Sequence, residues 1–481
     1  MSAARKPHVT ASADSPAELH PEPSARLARG RAARAQTPLE AHAALPTPAN
    51  RPDPVAVLQK QAMSRLADLI PIRNGRMLVS PLAFYRGSAA VMAADLAGSP
   101  VSGMDCQLCG DAHLSNFGAF ASPERSLVFD INDFDETHPG PWEWDVKRLA
   151  ASLAVTGRCN GFSRKQRAAV VLTAVSRYRT AMRDFADMRD LDVWYAYADL
   201  DEVSQLLKNK ASKKRRKKFA DAQVKARTRD SLQAFRKMTA VVDGHRRILA
   251  YPPLIVPIQD LLPDTDRAQL ESRIRLLVAG YADTLPVDKR HLLRGFRFVD
   301  MARKVVGVGS VGTRCWVVLL SGRDQDDPLL LQVKEAQPSV LAEYVPGRPA
   351  NSGEGERVVG GQRLIQAASD IFLGWGRVSG IDGQDRDFYV RQLRDWKASA
   401  VVETMDPTTL RLYGALCGWT LARAHARTGD RIAIAGYLGD DAAFDQALLE
   451  FSERYADRNE NDFQSLQAAA KAGRIPVHSG V

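Results

Sequence analysis

Two neighbouring stretches decide the fold: GDAHLSNFG at residues 110–118 and VFDINDFDE at residues 128–136. The first follows an apolar, strand-like stretch and holds Asp111 and Asn116 in a short turn. The second is a predicted strand that ends in another turn at Asp133. Because the two turns follow adjacent predicted strands, their side chains can face one cleft.

The residue types in these turns are those that phosphoryl transfer uses. An Asp can orient and deprotonate an acceptor hydroxyl, while an Asn and a second Asp can hold Mg²⁺ against nucleotide phosphates. Polar residues are common in isolated turns, since Asp and Asn bond to nearby backbone. The two turns together therefore indicate a site more strongly than either alone.

Three segments in register resemble aminoglycoside-phosphotransferase-like kinases: GDAHLSNFG, VFDINDFDE and WEWDVKRLA at residues 142–150. They match the Gly-Asp-x-His-x-x-Asn, Ile-Asp-Phe-Asp and Trp-Asp-Leu-Ala-Arg-Leu elements of those enzymes. One departure is Cys109, where those kinases usually have His. The resemblance implies the following roles: Asp111 as catalytic base with His113 bracing its loop, Asn116 and Asp133 as metal ligands, Asp135 as a possible second carboxylate ligand, and Asp145 as a buried support for the turn.

A glycine-rich segment at residues 307–312 (GVGSVG) is a weak signal alone, because the same pattern opens the helix of dinucleotide-binding folds. Here a predicted strand follows instead, which favours a hairpin over the phosphates. The next strand ends in Leu331-Gln332-Val333-Lys334, similar to the kinase strand whose Lys pairs with nucleotide phosphates. The predicted nucleotide-binding residues are Gly307, Gly309, Ser310, Gly312 and Lys334, with Glu356 of the following helix as the ion-pair partner of Lys334.

In ordinary kinases the glycine-rich hairpin precedes the catalytic Asp, whereas here it follows. Circular permutation accounts for this order, since the helix from about Thr408 to His425 resembles the one that normally leads into the catalytic loop. Permutation succeeds mostly at surface loops. The prediction is an α+β, protein-kinase-like two-lobe fold in circularly permuted order, with a small antiparallel sheet lobe and a larger helical lobe.

The chain from about Asp53 to Asp462 also resembles a bacterial family known as domain of unknown function 2252. The segments that carry this resemblance are FYRG at 84–87, GDAHLSNFG, NDFDET at 132–137, KVVGVGSVGTR at 304–314, GQRLIQAASD at 361–370 and YADRNEND at 455–462. This resemblance implies no substrate.

Composition and periodicity divide the chain into four predicted parts. Residues 1–53 are rich in Ala, Pro, Arg and Ser and form a predicted disordered tail. Residues 54–290 form the helical lobe with the catalytic and metal-binding loops. Residues 291–400 form the sheet lobe with the phosphate-anchoring Lys334. Residues 401–481 return as helices to the helical lobe.

The formal net charge of +10 is concentrated in one segment, Lys208–Arg227, which holds ten Lys or Arg side chains against the single Asp221. Within its run Lys213–Lys218 no aromatic residues interleave to stack bases, so a solvated helix face or loop is the plain interpretation, and contact with a polyanion is the alternative. Five scattered cysteines fit a reducing compartment, and no apolar run is long enough for a membrane helix. The expected location is the cytoplasm, with no membrane contact.

The function predicted from these features is transfer of a phosphoryl group from ATP, with Mg²⁺, to a hydroxyl of an unidentified small molecule or protein. Nucleotidyl transfer uses nearly the same residues and stays open. A catalytically silent nucleotide-binding scaffold is the alternative from another class. A binuclear metallophosphoesterase would also need a Gly-Asn-His element, which the sequence lacks. Cys106-x-x-Cys109 has no second Cys/His pair to complete a zinc site.

Overall fold

The computed structural model describes residues 21–207, 213–228, 231–242, 244–262, 267–345, 353–379, 383–393, 396 and 398–480. In this part of the chain, helices and several antiparallel sheets form a mixed architecture, in agreement with the α+β class. The helices are α1 Pro23–Gln36, α2 Pro54–Ala62, α3 Ile70–Met77, α4 Pro81–Gly87, α5 Ala89–Leu96, α6 Trp142–Cys159, α7 Arg164–Ala186, α8 Asp190–Tyr195, α9 Leu200–Leu207, α10 Lys213–Arg227, α11 Ser231–Met238, α12 Ile258–Leu261, α13 Arg267–Ala282, α14 Val287–Leu293, α15 Glu354–Ile365, α16 Pro407–Thr428, α17 Arg431–Leu438 and α18 Ala443–Lys471. The strands are β1 Asp105–Leu108, β2 Phe117–Ala121, β3 Leu127–Ile131, β4 His138–Pro141, β5 Ala198–Asp199, β6 Thr239–Val242, β7 His245–Ile248, β8 Ile255–Pro257, β9 Arg297–Lys304, β10 Cys315–Ser321, β11 Pro328–Ala336, β12 Gly374–Ser379, β13 Asp385–Gln392 and β14 Ala398–Ser399.

The N-terminal segment is more ordered than predicted. The disordered tail predicted to reach residue 53 is wrong from Pro23 onward, because α1 packs on α17 and a 3-10 turn at Leu39–Ala43 packs on α18. Small residues allow this contact: a Cβ at Gly30 would lie 2.0 Å from the carbonyl oxygen of Ala433. Composition suggested disorder because α1 has few large apolar side chains, yet close backbone approach compensates. Residues 1–20 of the predicted tail lie outside the described residues.

The core of the helical lobe is built around α6. Almost every side chain of this helix is buried, including charged ones, because α18, α7, α16 and β1 surround it. Helix α16 lies along α7, and Gly418 makes their contact close: a Cβ there would lie 2.3 Å from the carbonyl oxygen of Ala174. The predicted helix near 408–425 is thus confirmed and is slightly longer.

Two small antiparallel sheets position the two turns that hold Asp111 and Asp133. Strand β1 pairs with β4, and a four-stranded sheet has the order β14-β2-β3-β5. The strand predicted before the second turn is confirmed as β3, which forms a hairpin with β2 between the two turns. Strand β14, where the chain leaves the sheet lobe, pairs with β2 and ties the two lobes together.

The sheet lobe is a six-stranded antiparallel sheet of order β12-β13-β11-β10-β9-β8. The small antiparallel sheet predicted within residues 291–400 contains β9, β10 and β11 as consecutive antiparallel strands. The lobe begins earlier than residue 291, because β8 forms its edge and α13 packs on its outer face through Ile274 and Tyr281. The predicted boundary between the lobes is too late because a helical pattern in the sequence does not indicate which lobe the helix packs on.

Part of the basic segment 208–227 falls outside the described residues. Its described part is mainly helix α10, where Arg227 pairs with Asp201 at 2.7 Å. Contact with a polyanion therefore stays a prediction. Among the described residues, no helix is both long enough and apolar enough to cross a membrane.

Candidate functional site

A cleft of about 400 Å³ lies between the helical lobe and the six-stranded sheet. Residues from distant parts of the chain converge on it, since one wall comes from the turns after β1 and β3 and the other from the glycine-rich segment and β11. The predicted site residues that line it are Asp111, His113, Asn116, Asp133, Asp135, Gly307, Gly309, Ser310 and Lys334.

The turn that presents Asp111 is fixed from below by a buried carboxylate. Asp145 of α6 accepts the backbone N–H groups of Cys109 at 2.8 Å and Gly110 at 3.1 Å. Gly110 has a left-handed φ of 82°, and a Cβ there would lie 2.0 Å from the carbonyl oxygen of Glu136. Glycine is therefore required where the two turns meet.

One oxygen of Asp111 is bound within the protein and the other lies near an imidazole. Arg148 donates from Nε and Nη2 to Asp111 Oδ1, both at 2.8 Å, and its guanidinium is fixed by a further bond from Nη2 to the carbonyl of Tyr85. His113 Nε2 lies 3.6 Å from Asp111 Oδ2. Burial lowers the pKa of His113 to about 4, so the ring is neutral near pH 7. A neutral, buried ring agrees with the predicted bracing role.

The second turn meets Lys334 across the cleft. Lys334 Nζ donates to Asp135 Oδ2 at 2.6 Å and lies 3.7 Å from Asp133 Oδ1. Burial alone would lower the pKa of Lys334, but the charges of Asp133 and Asp135 outweigh it and raise the pKa well above its usual value. Burial likewise opposes ionisation of Asp135, yet the ammonium of Lys334 and the bonds from Lys334 and the Tyr389 hydroxyl lower its pKa to about 2. Lys334 and Asp135 are therefore both charged near neutral pH.

The glycine-rich segment forms a 3-10 turn, Val308–Ser310, over the cleft. Ser310 Oγ donates to Asp135 Oδ2 at 3.0 Å, and this bond connects the 3-10 turn to the turn after β3. A Cβ at Gly307 would meet nothing within 4 Å. Gly312 does not line the cleft. Its left-handed φ of 93° and its closeness to Arg65 indicate that glycine is needed there for the backbone conformation.

Glu356, the predicted partner of Lys334, lies in the first turn of α15 and outside the set of described residues that line the cleft. Its neighbour Arg357 reaches the turn after β3. There Nη2 donates to the carbonyl of Asp135 at 2.9 Å and Nη1 donates to the carbonyl of Thr137 at 2.5 Å. Helix α15 therefore braces the second turn through an arginine and backbone carbonyls. The carboxylates that pair with Lys334 come from the second turn.

Sequence reasoning missed several groups at the site. Arg148 could have been found, because it lies one helical turn after Asp145 in a motif already recognised. Tyr389 and Arg391 could not, because they reach the cleft through strand register: Tyr389 lies opposite Lys334, and Arg391 lies opposite Gln332. Arg391 adds a further cation to the cleft wall, where its Nε donates to Gln332 Oε1 at 3.2 Å.

The oxygen donors of the cleft fit Mg²⁺ rather than a softer metal. Asn116 donates from Nδ2 to the carbonyl of Asp111 at 2.8 Å, so its amide oxygen faces away from that carbonyl. Asn116 lines the same cleft as Asp133 and Asp135. No group of three or more His, Cys, Asp or Glu side chains in the described chain is arranged to hold a metal by itself. Mg²⁺ commonly binds one or two carboxylates and completes its shell with water and substrate phosphates.

Comparison with known proteins gives a family. No curated protein and no solved structure matches the chain. A family model matches residues 65–469, which include the turns that hold Asp111 and Asp133, Lys334 and most of the helical lobe. Since this match covers most of the chain, the protein belongs to the family described as "Uncharacterized protein conserved in bacteria (DUF2252)".

Proposed function

We propose that the protein is an ATP- and Mg²⁺-dependent phosphotransferase that acts on a hydroxyl acceptor. The observation that carries this proposal is the convergence on one cleft of Asp111, Asn116, Asp133 and Lys334, together with the turn at residues 308–310. These are the groups that phosphoryl transfer needs for positioning and for stabilising charge.

The roles follow from the geometry. Lys334 would bind phosphate oxygens while the open backbone at Gly307 leaves room for close approach. Asn116, Asp133 and Asp135 would hold Mg²⁺, which neutralises the charge on the phosphates. Asp111, with Oδ1 fixed by Arg148, has Oδ2 left to orient the acceptor hydroxyl. That oxygen takes the hydroxyl proton as the new O–P bond forms and the bond from the γ phosphorus to the β-phosphate oxygen breaks, releasing ADP.

The kinase-like fold in permuted order is part of the same proposal. The end of α16 lies against β1: Thr428 Oγ1 accepts the backbone N–H of Gln107 at 3.2 Å, and a Cβ at Gly429 would lie 2.8 Å from Cys106 Cβ. This is the contact expected if α16 once led directly into the catalytic strand. Deep in the lobe, His425 Nε2 of α16 lies 3.4 Å from Asp145 Oδ2, beneath the catalytic turn.

The test follows labelled phosphorus. The full chain is incubated with a bacterial small-molecule extract and with ATP labelled at either the γ or the α phosphorus, and the products are separated. We expect transfer of the γ label, its loss in Asp111→Asn, and nucleotide binding retained in that variant. Transfer of the α label would establish nucleotidyl transfer instead, and ATP binding without any transfer would favour a silent scaffold.

A further inference from the structure

A cavity of about 900 Å³, here called the outer cavity, lies at the start of β9. The glycine-rich turn of the cleft follows the other end of the same strand. Helices α11, α13 and α14 and strands β7 and β10 contribute to the walls of the outer cavity. None of the described residues that line it also lines the cleft, so the two spaces are separate.

A β-bulge shapes one wall of the outer cavity. Asp300 of β9 pairs with Leu319 of β10 and Phe298 pairs with Leu320, so Val299 has no partner in β10. Bulges bend a strand and redirect its side chains, and they are common next to binding sites. Here the residues on both sides of the bulge, Phe298 and Val299 with Leu319 and Leu320, all line the cavity.

The outer cavity leaves apolar surface uncovered. Leu320 belongs to the buried cluster that includes α13 residues, whereas Leu319 belongs to the cluster that includes Phe235 of α11. The rings of Phe296 and Phe298 line the cavity and are only partly buried. Apolar and aromatic walls of this kind are typical of small-molecule sites, because a ligand with an apolar body removes them from water.

The charged side chains around the outer cavity are mainly cationic. Arg246, Arg294 and Arg297 line it, against one carboxylate among the described lining residues, Asp283. That carboxylate already lies 3.4 Å from the guanidinium of Arg290. The charge of the described lining residues therefore favours an anionic group in the ligand.

Arg246 is placed to bind this anionic group. Its guanidinium carbon lies 4.7 Å from the centroid of the Phe235 ring, and its side chain is 22% exposed. Stacking on a ring uses the face of a guanidinium and leaves N–H donors at its edge, which match the two oxygens of a carboxylate. The ion pair of Arg246 with Asp326, at 3.7 Å, involves a carboxylate that is 87% exposed, and such pairs are weak.

We propose that the outer cavity binds an amphipathic anion of the long-chain carboxylate class. The alkyl chain of the ligand lies against Phe296, Phe298 and Val299, and its carboxylate accepts hydrogen bonds from Arg246. This binding site is independent of the proposed phosphotransfer in the cleft.

The experiment measures dissociation constants of the full chain for decanoate, butanoate and 1-decanol by isothermal titration calorimetry. Decanoate should bind at least about a hundredfold more tightly than butanoate, because six further methylene groups leave water. It should bind about tenfold more tightly than 1-decanol, which has the same chain without the charge. Equal affinity for decanoate and either of the other two ligands would overturn the proposal.

Arg246→Met keeps an apolar side chain against Phe235 but removes the charge, so it should weaken decanoate binding about tenfold and leave 1-decanol binding unchanged. The matched control is Arg323→Met in the β10–β11 turn, where the side chain is 84% exposed and does not line the cavity. This control removes the same charge and should bind decanoate as the wild-type protein does. Equal weakening in both variants would mean that net charge attracts the ligand and would contradict a site at Arg246.

A third variant tests the location of the alkyl chain. Ala279 is an exposed residue of α13 that lines the cavity, and Ala279→Trp adds a large ring there. This variant should weaken the binding of decanoate and 1-decanol alike, and wild-type affinity for both would place the ligand elsewhere. Binding to anionic phospholipid vesicles without binding of free decanoate would assign this surface to a membrane and would also overturn the proposal.

Discussion

At the scale of single residues, the turn that presents Asp111 is held by a buried side chain that does not line the cleft. Asp145 is 1% exposed and uses both oxygens to accept backbone N–H groups of the turn. Hydrogen bonds to a buried carboxylate are stronger than those between neutral groups. The position of Asp111 therefore depends on a residue one layer beneath it.

Asp145→Asn tests this dependence. An asparagine offers one acceptor oxygen and turns an NH₂ group toward a backbone N–H, so we expect a loss of about 1–3 kcal/mol in the free energy of unfolding. The rate of phosphoryl transfer should fall by more than the loss of folded protein accounts for. We expect kcat to be reduced and nucleotide affinity to be nearly unchanged. Urea denaturation and steady-state kinetics measure the two effects.

The control is Glu143→Gln, on the same helix and equally buried, where Glu143 accepts the backbone N–H of Ser102 at 2.7 Å and does not bond to the turn. Its kcat should stay near wild type. Equal kcat values for the two variants would show that Asp145 does not position the turn.

At the scale of elements, the lobes depend on close helix contacts as well as on side-chain packing. Gly418 allows α16 to approach the backbone of α7, and the end of α16 meets β1 beneath the cleft. Element types and approximate bounds could be predicted because apolar periodicity and turn residues are local signals. Strand register and the face that each helix covers are nonlocal, which is why Arg391 was missed and α13 was assigned to the wrong lobe.

Gly418→Ala should destabilise the protein, because the added Cβ would lie 2.3 Å from the carbonyl oxygen of Ala174 and the helices must separate. We expect a loss of about 1–3 kcal/mol in the free energy of unfolding. Gly360→Ala is the matched control: it lies in α15 with open space around its Cβ, and it should stabilise the protein by up to about 1 kcal/mol through helix propensity. Thermal or urea unfolding that ranks the two variants in the opposite order would contradict this account of the α7–α16 contact.

At the scale of the whole molecule, the N-terminal segment joins the C-terminal helices. His42 is fully buried and its Nε2 lies 2.6 Å from the hydroxyl of Tyr437, which itself donates to the carbonyl of Thr37 at 2.8 Å. Composition could not predict this contact, because it depends on one histidine ring and one tyrosine ring that lie 395 residues apart in the sequence.

This contact should make the protein sensitive to acid. Burial, aided by the charge of Lys147, lowers the pKa of His42 from 6.5 to about 3. Below pH 6.5 the unfolded chain therefore has a protonated His42, whereas the folded chain keeps this ring neutral. The free energy of unfolding then decreases as the pH falls from 6.5 toward 3. His42→Gln, which keeps a donor near the Nε2 position, removes this titration. The stability difference between wild type and variant should shrink by about 2 kcal/mol from pH 7 to pH 5 in urea denaturation. A difference that stays constant would mean that His42 is not buried as a neutral ring.

The central claim is that two distant halves of the chain build one Mg²⁺-nucleotide site. Differential scanning of the full chain with and without Mg²⁺ and ATP tests it most directly, because a ligand at about a hundred times its Kd adds about 2.7 kcal/mol of stability. We expect the Tm of the wild-type protein to rise by several degrees, the shift to vanish in Asp133→Ala, and an exposed-carboxylate control, Asp283→Ala, to behave as wild type. A wild-type Tm that does not respond to Mg²⁺ and ATP, or an unchanged shift in Asp133→Ala, would contradict the claim.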